Sequence, residues 1–453
     1  MSCREKDGVA ASRRGFLSAT AGLVTAAGSS LAVPRAFAGT QMAAAAPPVR
    51  DIEPFHGVHQ AGIVTPAQRY TYFAAFDLAA DKRGDVVGLL RAWTQAAARM
   101  AEGKPAQALG DPLQEVAAGG AAPAKSGDSY DTPAAGAMTA DTGEVLGLPA
   151  ARLTVTFGFG AGVFVKDGKD RYGLASRRPA ALVDMPKFTG DQLVAAHTGG
   201  DLSVQACADD PQVAFHAVRQ LARIAGSVAQ IRWVQTGFVP LRANNETPRN
   251  LMGFKDGTIN PATNDPAAMQ ALVWVDQEGP DWMQGGSYMV ARRIRIALEH
   301  WDRMQLAFQE QTVGRHKLSG APLGGRHETD ALDLDAADKD GNPVIPQNAH
   351  VRLAAAATNG GAQILRRPYS YNDGVDLTAE RWPPWRQGLE YDAGLFFICY
   401  QRDPRTGFVK IFERMAKFDM MNQFVTHVGG GLFACPAGTR PGEFIGQRLL
   451  QDA

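Results

Sequence analysis

Apolar positions recur along this chain with two periods, and together they lay out two similar halves. The first half opens on RYTYFAAFDL, residues 69–78, which reads as a strand. In DVVGLLRAWTQAAARM, residues 85–100, Val86, Leu89, Leu90, Trp93 and Ala97 share one helical face, and Asp85 is placed to cap it. After a long loop, RLTVTFGFG predicts a strand, and DLSVQACADDPQVAFHAVRQLARIAG predicts a strand leading into a helix. The second half repeats the scheme. GSYMVARRIRIAL predicts a strand, EHWDRMQLAFQEQT a helix, GLFFICYQRDP a strand and VKIFERMAKFD a helix. VQACADDP and FICYQRDP echo one another across the halves. Strand–helix pairs repeated in this way predict an α+β architecture of two related domains, with the boundary near residues 242–250.

Two stretches break the periodicity. Residues 102–150 are rich in Ala, Gly, Pro and Asp and read as an exposed insertion. Residues 318–348 also lack an apolar face, and loops this long in a compact domain are usually functional or disordered. An acidic run from Asp338 has Pro343 at the position where a calcium loop needs its turn glycine, so calcium is rejected there. The N-terminus carries Arg13 and Arg14, then Phe16-Leu17, a weakly apolar run and small residues before a cut after Ala38. That layout predicts a twin-arginine export signal over residues 1–38, followed by a linker over 39–60. The mature chain is then expected in the periplasm or outside the cell, with no stable membrane insertion.

Composition narrows the classes of function. At 453 residues, with 46 basic and 46 acidic side chains, the chain has no net charge to attract nucleic acid. The four cysteines, Cys3, Cys207, Cys399 and Cys435, form no CxxC pair, and Cys207 and Cys399 read as core residues.

Candidate chemistry concentrates in the second half. NLMGFKDGTINP, residues 250–261, sets Asp256 before a glycine: a turn signal, or a carboxylate offered to a pocket as a proton carrier. His350 follows the second long loop, Arg366 and Arg367 come sixteen residues later, and Asp392 stands at the entrance of an apolar strand. His56 and His59 could share a metal, but without a third ligand they form a weak site.

FHGVHQAGIVTPAQ, GDLSVQACADDPQVAFHAVR, NLMGFKDGTINP, GGSYMVARRIRI, VGRHKLSGAPLGG, NAHVRL, ILRRPYSY and GLFFICYQRDP, in that order, resemble the dye-decolourising (Dyp-type) haem peroxidases. The resemblance is stronger to the exported deferrochelatase/peroxidase branch of bacterial ferrous-iron uptake. It implies two ferredoxin-like domains of the dimeric α+β barrel type, residues 61–245 and 246–453, with one haem b in the C-terminal domain. It places Asp256 of the GxxDG motif (Gly253 to Gly257) as distal acid–base, Arg366 as distal arginine and His350 as axial ligand of the haem iron. Gly257, Thr258 and Ile259 fall against the haem, and Asp392 is the expected carboxylate behind His350. Ala355, Ala356 and Ala357 stand where relatives carry a more polar turn, which puts haem contacts there in doubt.

The expected function is one-electron oxidation of bulky, dye-like donors at the expense of hydrogen peroxide, with an acidic optimum. An imidazole ligand leaves the sixth iron position open, Asp256 would move a proton between the peroxide oxygens, and Arg366 would hold developing negative charge. Two alternatives use the same residues: release of iron from haem with the porphyrin intact, and a non-catalytic haem carrier. Expected partners are peroxide, an organic reductant or dye and ferrous-iron uptake components, with a homo-oligomer left open. Trp282, Trp301, Trp382, Trp385 and Tyr391 are candidate surface relays for electrons, though packing is the commoner role for each.

Overall fold

A β-α-β-β-α-β run occurs twice in the chain, the second time with an added two-residue strand. In the computed structural model, residues 51–108, 141–240, 246–379 and 387–451 are described. The first run is β1 (Tyr70–Leu78), α1 (Arg83–Ala101), β2 (Thr154–Phe159), β3 (Leu202–Ala208), α2 (Pro211–Ala225) and β4 (Ala229–Phe238). After α3 (Pro266–Leu272), the second run begins with β5 (Ser287–Ile296) and the short helices α4 (Leu298–Asp302), α5 (Leu306–Val313) and α6 (His350–Ala354). It continues through β6 (Leu365–Arg366), β7 (Tyr369–Ala379), β8 (Gln387–Gln401), α7 (Lys410–Phe418) and β9 (Val425–Cys435).

The strands pair antiparallel in the order β2-β3-β1-β4 in one half and β9-β5-β8-β7 in the other, the same arrangement twice. The halves join at both edges, through Phe159↔Ala434 between β2 and β9 and Phe238↔Ser370 between β4 and β7. The sheet therefore closes on itself, which removes its exposed edges.

Closure explains the sequence pattern of β1. Ala74 and Phe76 pack outward under the helices with Leu90, Trp93 and Leu221, while Phe73 and Ala75 pack inward with Trp233, Met289, Phe396 and Phe433. Both faces are buried, so YFAAF reads as a continuous apolar run rather than an alternating one. Each aliphatic side chain buried this way contributes about 1.5–3 kcal/mol relative to exposure. Trp93 also donates its indole N–H to the Leu221 carbonyl at 2.7 Å, tying α1 to α2.

Several elements differ from the sequence reading. Closing strands β4 and β9 and the long β7 carry too little apolar alternation to announce themselves; β9 contains VTHVGGG. The helix expected over 299–312 is broken into α4 and α5. Gln309 fills the break, donating to the Trp301 carbonyl at 2.9 Å and the Met304 carbonyl at 3.3 Å. Asp85 lies in the first turn of α1 rather than capping it; Lys82 holds the cap position without a side-chain bond. Arg13, Arg14 and the expected cut lie outside the described residues, as do most of the 102–150 insertion and Cys3. Among the described residues, no helix is long and apolar enough to cross a membrane.

Candidate active site

The Asp256 turn is fixed by its glycines and by the chain beneath it. Gly253 has φ +83° and Gly257 φ +122°, backbone that a side chain rarely tolerates, so the two glycines flanking Asp256 are structural requirements. The Asp256 amide donates to the Pro248 carbonyl at 2.8 Å, and Asn250 and Phe254 close the turn at 3.0 Å. Met252 and Phe254 face down onto an apolar floor with Trp301, Val313 and Phe424. The Asp256 carboxylate is left at the top.

Arg366 reaches it from β6. Its Nη1 donates to Asp256 Oδ1 at 2.7 Å, while Asn250 Nδ2 donates to Oδ2 at 3.3 Å. Asn260 fixes the arginine from behind: its Oδ1 accepts the Arg366 amide at 2.8 Å and its Nδ2 donates to the Arg366 carbonyl at 2.9 Å. Pairing of Arg366 with Cys399 of β8 completes the anchor. Neither member of the pair is sealed off, with side-chain exposures of 28% for Arg366 and 15% for Asp256.

His350 is the first residue of α6, delivered by the loop over residues 318–348. Its Nδ1 lies 2.7 Å from Oδ2 of Asp419, and Asp419 Oδ1 accepts the Met421 amide at 2.8 Å. With Nδ1 donating to this buried carboxylate, Nε2 carries the lone pair, the usual state of a metal-binding histidine. Burial pulls the His350 pKa down, but the Asp419 charge and hydrogen bond more than offset it, so the pKa is raised above the ordinary histidine value. Arg366 opposes that rise and Asp256 adds to it, so all three side chains share one electrostatic neighbourhood.

Asp392 does not stand behind His350. It pairs with Arg293 at 2.7 Å, and Asp373 takes the same guanidinium at 3.0 Å. Arg293 is almost wholly buried on β5 beside β8, and a buried guanidinium needs a carboxylate counter-charge. The carboxylate on His350 is Asp419, at the end of α7. In the sequence it looks like a helix terminus, and it does cap the turn over Met420–Gln423; nothing in KFDMMN marks its second partner.

The remaining candidates disperse. Trp282 and Trp301 are buried and hydrogen-bonded to the carbonyls of Arg177 and Met252, which makes them packing residues rather than surface relays. Tyr391 is half exposed, and Trp382 and Trp385 lie outside the described residues. His56 bonds Thr439, whereas His59 stacks on Trp274 and bonds the Gly285 carbonyl, so the two histidines serve separate partners. Arg367 turns away from the site into the core, toward Thr65 and Gln68.

Thr258 donates to Glu328 at 3.0 Å, and Glu328 also pairs with Lys255, so the 318–348 loop is fastened to the Asp256 turn. Glu328, Asn250 and Asn260 are supports that sequence reading missed. Ile259 leaves 60% of its surface exposed next to this turn, and Leu318 leaves 82%. An imidazole with a free Nε2, an acid–arginine pair and uncovered apolar side chains suit a flat, largely apolar group with a metal at its centre.

Residues 60–239 match the family described as Dyp-type peroxidase, N-terminal, and residues 247–440 that described as Dyp-type peroxidase, C-terminal. The chain belongs to the Dyp-type peroxidases, a family of oxidoreductases that use peroxide and a reductant. It is 37% identical to a dye-decolorizing peroxidase of Thermobifida fusca over 86% of this chain and 84% of that protein. It is 36% identical to a deferrochelatase of Escherichia coli strain K12 over 88% of this chain and 87% of that one. Among solved structures, DtpA from Streptomyces lividans is similar at a TM-score of 0.75 and 39% identity, covering 88% of this chain and 98% of its own. A DyP-type peroxidase from Cellulomonas bogoriensis is similar at a TM-score of 0.75 and 37% identity, over 90% and 100%.

Proposed function

We propose that this chain is a haem b peroxidase in which Asp256 and Arg366 act on peroxide and His350 is the axial ligand. The observation that carries the reading is the 2.7 Å Asp256–Arg366 pair within electrostatic reach of a histidine whose Nδ1 is already taken by Asp419. Haem held by His350 would supply the electrons that peroxide takes. The Asp256 carboxylate accepts the proton from the inner peroxide oxygen and returns it to the outer one, which leaves as water. Arg366 holds the negative charge that builds on that oxygen, and because Asn260 fixes its backbone this costs little reorganisation. Asp419 keeps His350 in the Nδ1–H tautomer and makes Nε2 the more basic ligand.

The repeated β-α-β-β-α-β order supports two ferredoxin-like domains, residues 61–245 and 246–453, with haem in the second and Gly257, Thr258 and Ile259 along its edge. Arg13, Arg14 and the small residues before position 39 support twin-arginine export to the periplasm or beyond. Bulky donors would give up electrons at the surface, and Tyr391 is the described aromatic candidate that solvent reaches.

The test is the visible spectrum of haem-loaded protein before and after one equivalent of peroxide in acid. A Soret band that changes and then recovers with dye is expected, and one indifferent to peroxide would leave only a haem carrier. Asp256→Asn should retain haem and lose about 10²–10⁴-fold in peroxide turnover, the usual worth of a placed acid–base group. His350→Ala should lose haem; full occupancy in that variant would remove His350 as ligand. The 36% identity to a deferrochelatase favours one second reading, removal of iron from haem with ferrous-iron uptake components as partners. Bands of metal-free porphyrin after turnover would establish it.

A further inference from the structure

A second cluster of ligand-type side chains lies in the N-terminal half, away from the site just described. Asp141 and Glu144 sit on the turn where the chain returns after residue 140, and His216 faces them from α2. One ligand atom from each can be chosen so that the three lie within 4.8 Å of one another. His216 Nε2 is 3.4 Å from Asp141 Oδ2, and Nδ1 is 3.1 Å from Glu144 Oε1. Two atoms bound to one zinc ion at about 2.1 Å stand roughly 3.4 Å apart at a tetrahedral angle. The Nε2–Asp141 separation is that of neighbouring ligands, while Glu144 Oε1 sits at Nδ1 on the other ring nitrogen and leaves Oε2 for the ion.

A bland alternative is that the histidine simply hydrogen-bonds both carboxylates. The geometry disfavours it. His216 is 2% exposed, yet its Nε2 has no hydrogen-bond partner, and Glu144 Oε2 is likewise buried without one. Native interiors rarely leave such atoms unpaired, and each one needs an explanation such as an ion. The carboxylate of Asp141 is already oriented, Oδ2 by the Ala106 amide at 2.7 Å and Oδ1 by the Gly143 amide at 2.8 Å. Gln220, which bonds Thr142, packs beside the ring with its Nε2 3.4 Å from His216 Nδ1. Among the described residues, Arg219 pairs with the cluster at 3.2 Å from Glu144 Oε1. Beside a neutral His216, two carboxylates against one guanidinium leave one negative charge to be matched.

We propose that Asp141, Glu144 and His216 form a zinc-type divalent-metal site that clamps the turn at residues 141–146 onto α2. One histidine and two carboxylates suit zinc, with the remaining position open to water through the partly exposed Glu144. The site is independent of peroxide chemistry, and its role is to hold the returning end of the 102–150 insertion against the domain.

The experiment uses full-length, haem-loaded protein, freed of any affinity tag and stripped with chelator, then titrated with zinc chloride by calorimetry and by thermal melting. Wild type should take up one more equivalent of zinc than His216→Gln, since glutamine keeps the hydrogen bonds but is a poor zinc ligand. At zinc a hundredfold above its Kd, the wild-type Tm should rise by about 3 °C and His216→Gln should not move. Asp141→Asn should weaken uptake at least tenfold and serves if the histidine variant fails to fold. Equal zinc uptake and equal Tm response in wild type and both variants would overturn the site. So would uptake of calcium with zinc ignored.

Discussion

At the scale of single residues, the informative comparison is between two aspartates. Asp392 precedes an apolar strand close in sequence to the arginine pair, and sequence reasoning assigned it to His350; in the fold it neutralises Arg293. Asp419, sixty-nine residues from the histidine, takes Nδ1 instead. The two predict opposite phenotypes. Asp419→Asn should keep the shape, lose the charge on the imidazole, and reduce haem affinity or turnover about 10–100-fold, the usual cost of losing a metal ligand's hydrogen-bonded support. It should also raise the iron reduction potential, a readout that a packing defect would not move. Asp392→Asn should leave both unchanged and lower the midpoint of denaturant unfolding, because a buried guanidinium loses a partner. Asp256, His350 and Arg366 were legible because motif and resemblance carried them together. Asp419, Asn250 and Asn260 were not, because a helix-end aspartate or a turn asparagine has the same sequence signature whatever its second partner is.

At the scale of elements, the echo between VQACADDP and FICYQRDP marks the corresponding strand of each half, β3 and β8, and the aspartate-proline step into the helix that follows. In the first half Asp210 caps α2, accepting the amides of Gln212 at 2.7 Å and Val213 at 3.1 Å. In the second half Asp403 accepts the Arg405 amide at 2.8 Å at the same step. Asp85 was expected to do this for α1 and does not. Asp210→Ala should therefore cost about 1 kcal/mol of stability, and Asp85→Ala only a few tenths, both read from denaturant midpoints. Equal losses would mean that first-turn charge, not the cap bond, sets helix stability here. The two-period reading found the helices with long apolar faces, the strands in the middle of each half, and β2. It passed over β4, β7 and β9, whose residues are paired by the rest of the barrel rather than by their own pattern, since strand preference depends on neighbours more than on the strand itself.

At the scale of the molecule, proton chemistry and fold stability pull in opposite directions with pH. The acidic optimum expected of turnover is read from the rate profile with a dye. Stability runs the other way. His427 is buried against Arg292, whose Nε–H donates to His427 Nδ1 at 3.1 Å, and burial followed by the arginine charge holds its pKa well below the ordinary histidine value. A histidine in the unfolded chain gains a proton below about pH 6.5, whereas this one stays neutral in the fold. The unfolded state then binds more protons, so stability falls as pH drops, by about 1.4 kcal/mol per pH unit from this group until the folded pKa is reached. His427→Gln keeps an acceptor for Arg292 and removes the titration. It should start less stable at pH 7 but lose less between pH 6.5 and 5, measured by urea unfolding at each pH. Parallel curves for wild type and variant would mean that His427 is protonated in the fold after all. With the expected difference, the acid side of the activity profile is set by unfolding rather than by chemistry, and the variant's activity should persist to lower pH than its stability at pH 7 would suggest.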